Sequence, residues 1–175
     1  MIQAREQSGS WSLVEAKASD KPVPEDVFTC FIDHGAKPAA TSYAYLLVPG
    51  ASSEDLPALP ASVRVLTNTP ELQVVSSEAL TQAIFHAPGT LGLLEGGRLS
   101  VDAACLVQLR IVGDTRILTV ADPTQELRQL SVTIDGRWTG QGASYLPGDN
   151  ATHIVVVLPE GSYAGQSIVI PLSRP

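Results

Sequence analysis

From Gln129 to Asp135 apolar and polar residues alternate without a break, with Leu130, Val132 and Ile134 on one side and Gln129, Ser131, Thr133 and Asp135 on the other. Successive strand side chains point to opposite faces, so this period of two describes a strand with one face in a core and one in water. The same kind of segment recurs. Val63 to Leu66, Glu71 to Val75, Gln82 to Phe85, Ala104 to Val112, Arg116 to Val120 and Ser167 to Leu172 are short runs of strand-forming residues, divided by Pro, Gly, Asn and Asp clusters. Tyr43 to Val48 and His153 to Leu158 are near-continuous apolar runs, which predicts central strands in the middle of a sandwich layer. Phe28, Cys30 and Ile32 share one face of a further strand with Phe31 opposite, which predicts cover on both sides. Helix-length periodic segments are missing. The pattern specifies an all-β fold, an antiparallel β-sandwich. Pro171 has no amide to donate, so the last strand is predicted to lie at an edge or to stop there.

The stretch from Pro49 to Pro60 breaks the strand rhythm and reads as the core of a linker, residues 51–62, with one turn begun by Ser52 or Ser53. Residues 1–50 hold too few strands to close a sandwich, and are read as the last strands of a larger one. Residues 63–175 form a second β-sandwich domain. A hydrophobic share of 44% over 175 residues supplies a real core. The net charge of −7, with no basic run, excludes a nucleic-acid partner selected by phosphate attraction. The longest apolar run, Ile154 to Leu158, falls far short of the roughly 20 residues of a membrane span, so no membrane partner is expected. Met1 to Ser10 lacks an apolar core behind a positive start, so no signal peptide is expected. Cys30 and Cys105 sit in apolar runs that suit two buried thiols better than a disulfide.

The search for chemistry assigns no catalytic residue. His34, His86 and His153 fit no local metal spacing, and neither a metal nor a cofactor is expected. Asp33 and His34 are adjacent, but neighbours on a strand face apart unless the chain turns, as Gly35 and Pro38 allow. The reading preferred here is a strand end at which both residues bond nearby backbone groups. No Gly-x-Ser-x-Gly elbow occurs, and the glycines of Gly89 to Gly97 and Gly140 to Gly142 read as loops without a phosphate-cradling pattern. Asn150-Ala151-Thr152 reads as a chance sequon. Trp11, Trp138, Tyr145 and Tyr163 are the aromatics able to stack on sugar rings. Trp11 is expected in the core. Trp138 follows the Asp135-Gly136 turn signal, which leaves an exposed loop position and core packing about equally open, and Trp138 and Tyr145 are the candidate carbohydrate-binding pair.

Five phrases in order carry a resemblance: Gly9-Ser10-Trp11, then Phe31-Ile32-Asp33-His34-Gly35, then Ser42 to Gly50, then Val65 to Val75, then Ala121-Asp122-Pro123-Thr124-Gln125. Together they resemble the polysaccharide lyases of family 8, which include hyaluronate, chondroitin AC and xanthan lyases. The resemblance spans Gly9 to Ile134. It implies a parent enzyme with an N-terminal helical catalytic domain, a large central β-sandwich and a smaller C-terminal β-sandwich, secreted to the periplasm or beyond the cell. Residues 1–50 would then end the central sandwich, and 63–175 would be the C-terminal domain. The family's reaction is β-elimination at a uronic acid, in which donors neutralise the carboxylate beside the carbon that loses its proton. The resemblance places those residues in the helical domain. His34 therefore receives no catalytic role, and the implied partners are a polysaccharide and the helical and central β domains of the parent enzyme. An independent carbohydrate-binding module is the alternative.

Overall fold

The structure is a computed structural model that describes residues 2–52, 54, 55, 57, 58 and 62–175. The chain divides into two compact units, residues 1–45 and 46–175. In the first, β1 (Ile2–Gly9) and β2 (Val23–Cys30) form an antiparallel hairpin in continuous register from Ile2 opposite Cys30 to Gly9 opposite Val23. A short 3-10 turn, Trp11–Leu13, opens the connection between them.

The second unit holds β3 (Arg64–Asn68), β4 (Leu72–Ser77), β5 (Leu80–Phe85), β6 (Gly89–Gly92), β7 (Arg98–Val101), β8 (Cys105–Val112), β9 (Thr115–Ala121), β10 (Gln129–Asp135), β11 (Ala143–Leu146), β12 (Ala151–Val157) and β13 (Ile168–Leu172). They pair antiparallel in two sheets. One has six strands in the order β13-β9-β8-β5-β4-β3, and the other five in the order β11-β12-β10-β7-β6. Inward residues of both sheets form one core: Val74, Phe85, Val107, Leu118 and Ile170 from the first meet Leu99, Val132, Ile134, Ile154 and Val156 from the second. This is an antiparallel β-sandwich, and the alternation of Gln129 to Asp135 is what places Leu130, Val132 and Ile134 inside it. Pro171 lies on the edge strand β13, where a missing amide leaves no neighbour unpaired.

Several local expectations are corrected. Tyr43 to Val48 forms no strand, because no described segment runs beside it to complete a ladder; its rings pack locally, Tyr43 against Tyr45 at 6.3 Å. Gly89 to Gly92, read as loop, is β6, held by β7 and anchored by the buried Leu91. The β2 region is not covered on both faces: Phe28, Phe31 and Ile32 are exposed, since two strands offer no second layer within their own unit. Trp11 is 64% exposed rather than core. Cys105 is buried but Cys30 is exposed, and both are free thiols. In the linker, Asp55 accepts hydrogen bonds from the Ser52 amide and hydroxyl at 3.1 and 2.7 Å, closing the turn expected there. Ser53 lies outside the described residues, as do four further positions of 51–62.

Candidate functional site

A gathering of charged and aromatic side chains lies at one end of the sandwich, where several strand ends converge. β10 delivers Asp135 there, and the chain then reverses through Gly136 at φ +92°, a left-handed conformation suited to glycine. The reversal turns the Trp138 indole back under its own strand, where its Nε1–H donates to the Asp135 carbonyl at 2.9 Å. The Trp138 amide donates to the Thr152 hydroxyl at 2.9 Å, and that hydroxyl donates to the Gly136 carbonyl at 2.8 Å. Thr152 is fully buried, so both its bonds serve the turn.

Of the eleven Lys and Arg residues, four gather here: Arg98, Arg116, Arg137 and Arg174. The Arg116 guanidinium lies 4.5 Å from the Trp138 ring centre and that of Arg174 5.3 Å, so two cations share one indole. Arg137 lies 5.3 Å from the ring of Tyr145, whose hydroxyl donates to Asn150 at 2.9 Å. Arg116 pairs with Glu95 at 3.2 Å, and Arg98 with Asp135 at 3.3 Å. No described carboxylate pairs with Arg137 or Arg174. Burial pushes the Arg116 guanidinium below its usual range, Glu95 opposes that, and the like charge of Arg174 adds to the lowering. Between these groups lies a cavity of about 400 Å³, lined by Glu95, Arg116, Asp135, Arg137, Trp138 and Arg174 among others.

The sequence-predicted pair is thus brought to the same end of the fold but in unequal states. Trp138 is only 5% exposed, the core alternative of the two left open, because its turn folds the ring inward and arginines occupy its approach. Tyr145 is half-buried on β11, with Arg137 over its ring. Arg116, Arg137 and Arg174 were not singled out from the sequence. They are far apart along the chain, and only the ends of β9, β10 and β13 assemble them.

The other sequence candidates are structural in their contacts. Asp33 accepts a hydrogen bond from the Gly35 amide at 2.8 Å, whereas His34 packs its ring 5.9 Å from that of Tyr43. No bond links Asp33 to His34 among the described residues. Asp122 is 2% exposed and receives bonds from the Thr124 amide and hydroxyl and from the amides of Glu126 and Leu127, at 2.6 to 2.9 Å. Burial alone would raise its pKa, but those donors outweigh it and hold the carboxyl at about 2. Asp122 clasps its loop. Among the described residues no three His, Cys, Asp or Glu side chains converge as metal ligands. In the sequon, Asn150 accepts the Tyr145 hydroxyl while Thr152 is buried. A second cavity, about 520 Å³, lies on the outer face of the six-stranded sheet among Gln73, Val75, Gln82, Ile84, Leu106 and Gln108, and none of its lining residues ionises.

Residues 1–59 match the super-sandwich domain of polysaccharide lyase family 8, and residues 64–131 match that family's C-terminal beta-sandwich domain. The architecture is thus that of the β-domains of polysaccharide lyases. The chain is 28% identical over 171 residues to a chondroitinase-AC of Pedobacter heparinus, covering 95% of this chain and 23% of that protein. It is 31% identical over 153 residues to a hyaluronate lyase of Thermasporomyces composti, covering 85% of this chain and 18% of the relative. The solved structure of the Streptomyces coelicolor A3 chondroitin AC lyase in complex with chondroitin sulphate shares the fold, with a TM-score of 0.77 at 24% identity, over 100% of this chain and 24% of that one. The chain belongs to polysaccharide lyase family 8. It spans less than a quarter of the length of these relatives.

Proposed function

We propose that this chain supplies a non-catalytic β region of a lyase that cleaves uronic-acid-containing glycans by β-elimination, outside the cytoplasm. Residues 1–50 contribute strands to a central sandwich, 51–62 link, and 63–175 form the C-terminal sandwich that buttresses a helical catalytic domain. The observation that carries this reading is the pair of β-domain matches in family order. The side chains agree with it. Elimination needs a base at the C5 proton, a donor set on the neighbouring carboxylate and an acid for the leaving oxygen. Asp122 is locked by four donors, and Asp33 and His34 face different partners.

The test follows the ultraviolet absorbance of the C4–C5 double bond left when the C5 proton is removed and the C4–O bond breaks. The purified chain, given hyaluronan, chondroitin or xanthan, is expected to produce none. Mixed with the helical domain of a family relative, it is expected to raise that domain's rate. Unsaturated product from the chain alone overturns the proposal. The standalone carbohydrate-binding alternative now rests on Tyr145, since Trp138 offers no free face.

A further inference from the structure

The arginine cluster around Trp138 has an excess of positive charge in a chain whose net charge is −7. Glu95 answers Arg116 and Asp135 answers Arg98, which leaves Arg137 and Arg174 on the same cavity wall with no ion pair to a carboxylate among the described residues. Like charges held this close repel, and Arg174 acts on Arg116 in that sense. An arrangement of this kind is relieved by an anion, because guanidinium donors form a planar fork that matches an oxyanion and bond it more strongly than a neutral acceptor. The indole adds stiffness. Its Nε1–H is committed to Asp135 and its backbone to Thr152, so the two guanidiniums stacked on it share a fixed platform. Tyr145 is half-buried beside Arg137, which itself lines the cavity, and an aromatic ring is of the kind that meets the face of a sugar.

We propose that Arg116, Arg137 and Arg174, with Tyr145 at the rim, form a binding site for the oxyanion of an acidic sugar, either a uronate carboxylate or a sulfate ester. The choice of a sugar as bearer of that anion rests on the lyase reading above. Arg137 and Arg174 bind the anion directly. Arg116, part-buried and paired to Glu95, holds the indole platform and adds charge from below. Such a site raises the local concentration of the glycan at this end of the sandwich, an effect that weakens with added salt.

The experiment titrates the full chain and follows the Trp138 indole N–H resonance, with an unsulfated hyaluronan tetrasaccharide, a sulfated chondroitin tetrasaccharide and neutral cellotetraose as separate probes. Saturable shifts with either acidic probe and none with cellotetraose are expected; tighter binding of the sulfated probe identifies sulfate as the anion bound, and equal binding of the two identifies the carboxylate that both carry. The double variant Arg137→Ala, Arg174→Ala removes exposed side chains that make no ion pair among the described residues, and retained dispersion of its amide spectrum confirms the fold. It is expected to bind about tenfold or more weakly, the loss of charge-assisted bonds. No shift with both acidic probes, an equal response to cellotetraose, or undiminished binding by the folded double variant overturns the site. Silence in this titration leaves the rate-enhancement result standing, and failure of that result leaves the titration standing, so the two proposals fail separately.

Discussion

The hairpin unit and the sandwich unit are both strands, yet they keep their apolar residues in opposite places. In residues 1–45, Trp11, Phe28, Phe31 and Tyr43 are all exposed to a large degree; in residues 46–175, Leu118, Val120, Val132, Ile154 and Leu172 are sealed completely. The difference is one of layers rather than of composition. A hairpin satisfies backbone bonds along one shared edge, but it has no opposite sheet within its unit to receive side chains. Six strands facing five supply that second layer. Hydrophobicity in a strand therefore predicts a demand for cover, and only the topology shows whether the demand is met.

The sharpest way to break this comparison is thiol accessibility. Cys105 is 1% exposed, and burial first, with Asp102 and Asp122 adding to it, pushes its thiol up to about 12, so almost no thiolate forms at neutral pH. Cys30 is exposed. With a disulfide-exchange reagent at neutral pH, Cys30 is expected to react at least about a thousandfold faster than Cys105, which must wait for the sandwich to open. Comparable rates would mean that the sandwich is not the closed unit described. Next in size is a pair of truncations measured by urea unfolding. Leu118→Ala is expected to destabilise the sandwich by about 2 to 5 kcal/mol, while Phe28→Ala in the hairpin changes the same transition by less than about 0.5 kcal/mol.

The smallest of the three effects concerns Asp122. Its carboxyl lies near 2 in the folded chain against an ordinary 3.8, so the stabilisation is present above about pH 4 and is lost as pH falls through the folded value. Integrated, that shift amounts to roughly 2 kcal/mol. Asp122→Asn is expected to lower stability at pH 7 by a similar amount and to flatten the acid limb between about pH 4 and 2. An acid limb unchanged by the substitution would show that the clasp contributes nothing.

What could be read from the sequence follows the same division. Gln129 to Asp135 was legible to the residue because one face is core and the other is not, which makes the pattern strict. β6 was not, since glycines carry no periodicity and only Leu91 betrays the buried side. Tyr43 to Val48 was misread because an apolar run encodes no partner. Of the candidate site, Trp138 and Tyr145 were legible as aromatics able to stack on a sugar, but the sequence left open whether Trp138 is buried or exposed, because the Thr152 bonds that turn it inward come from the neighbouring strand β12. The arginines left no local signal at all. Their meeting is a property of where β9, β10 and β13 end.

Pro171 on β13 bears on a hazard unrelated to glycans. Exposed strand edges are templates for further strands and thus for fibril growth. On this flank the edge strand lacks an amide at Pro171, and just beyond it Ser173 already exchanges both backbone bonds with Thr139. An incoming strand would find one donor missing and the next pair taken. That side of the sandwich is a poorer template for a further strand, so in a concentrated solution its backbone chemistry opposes linear polymerisation there, in addition to any effect of the negative charge.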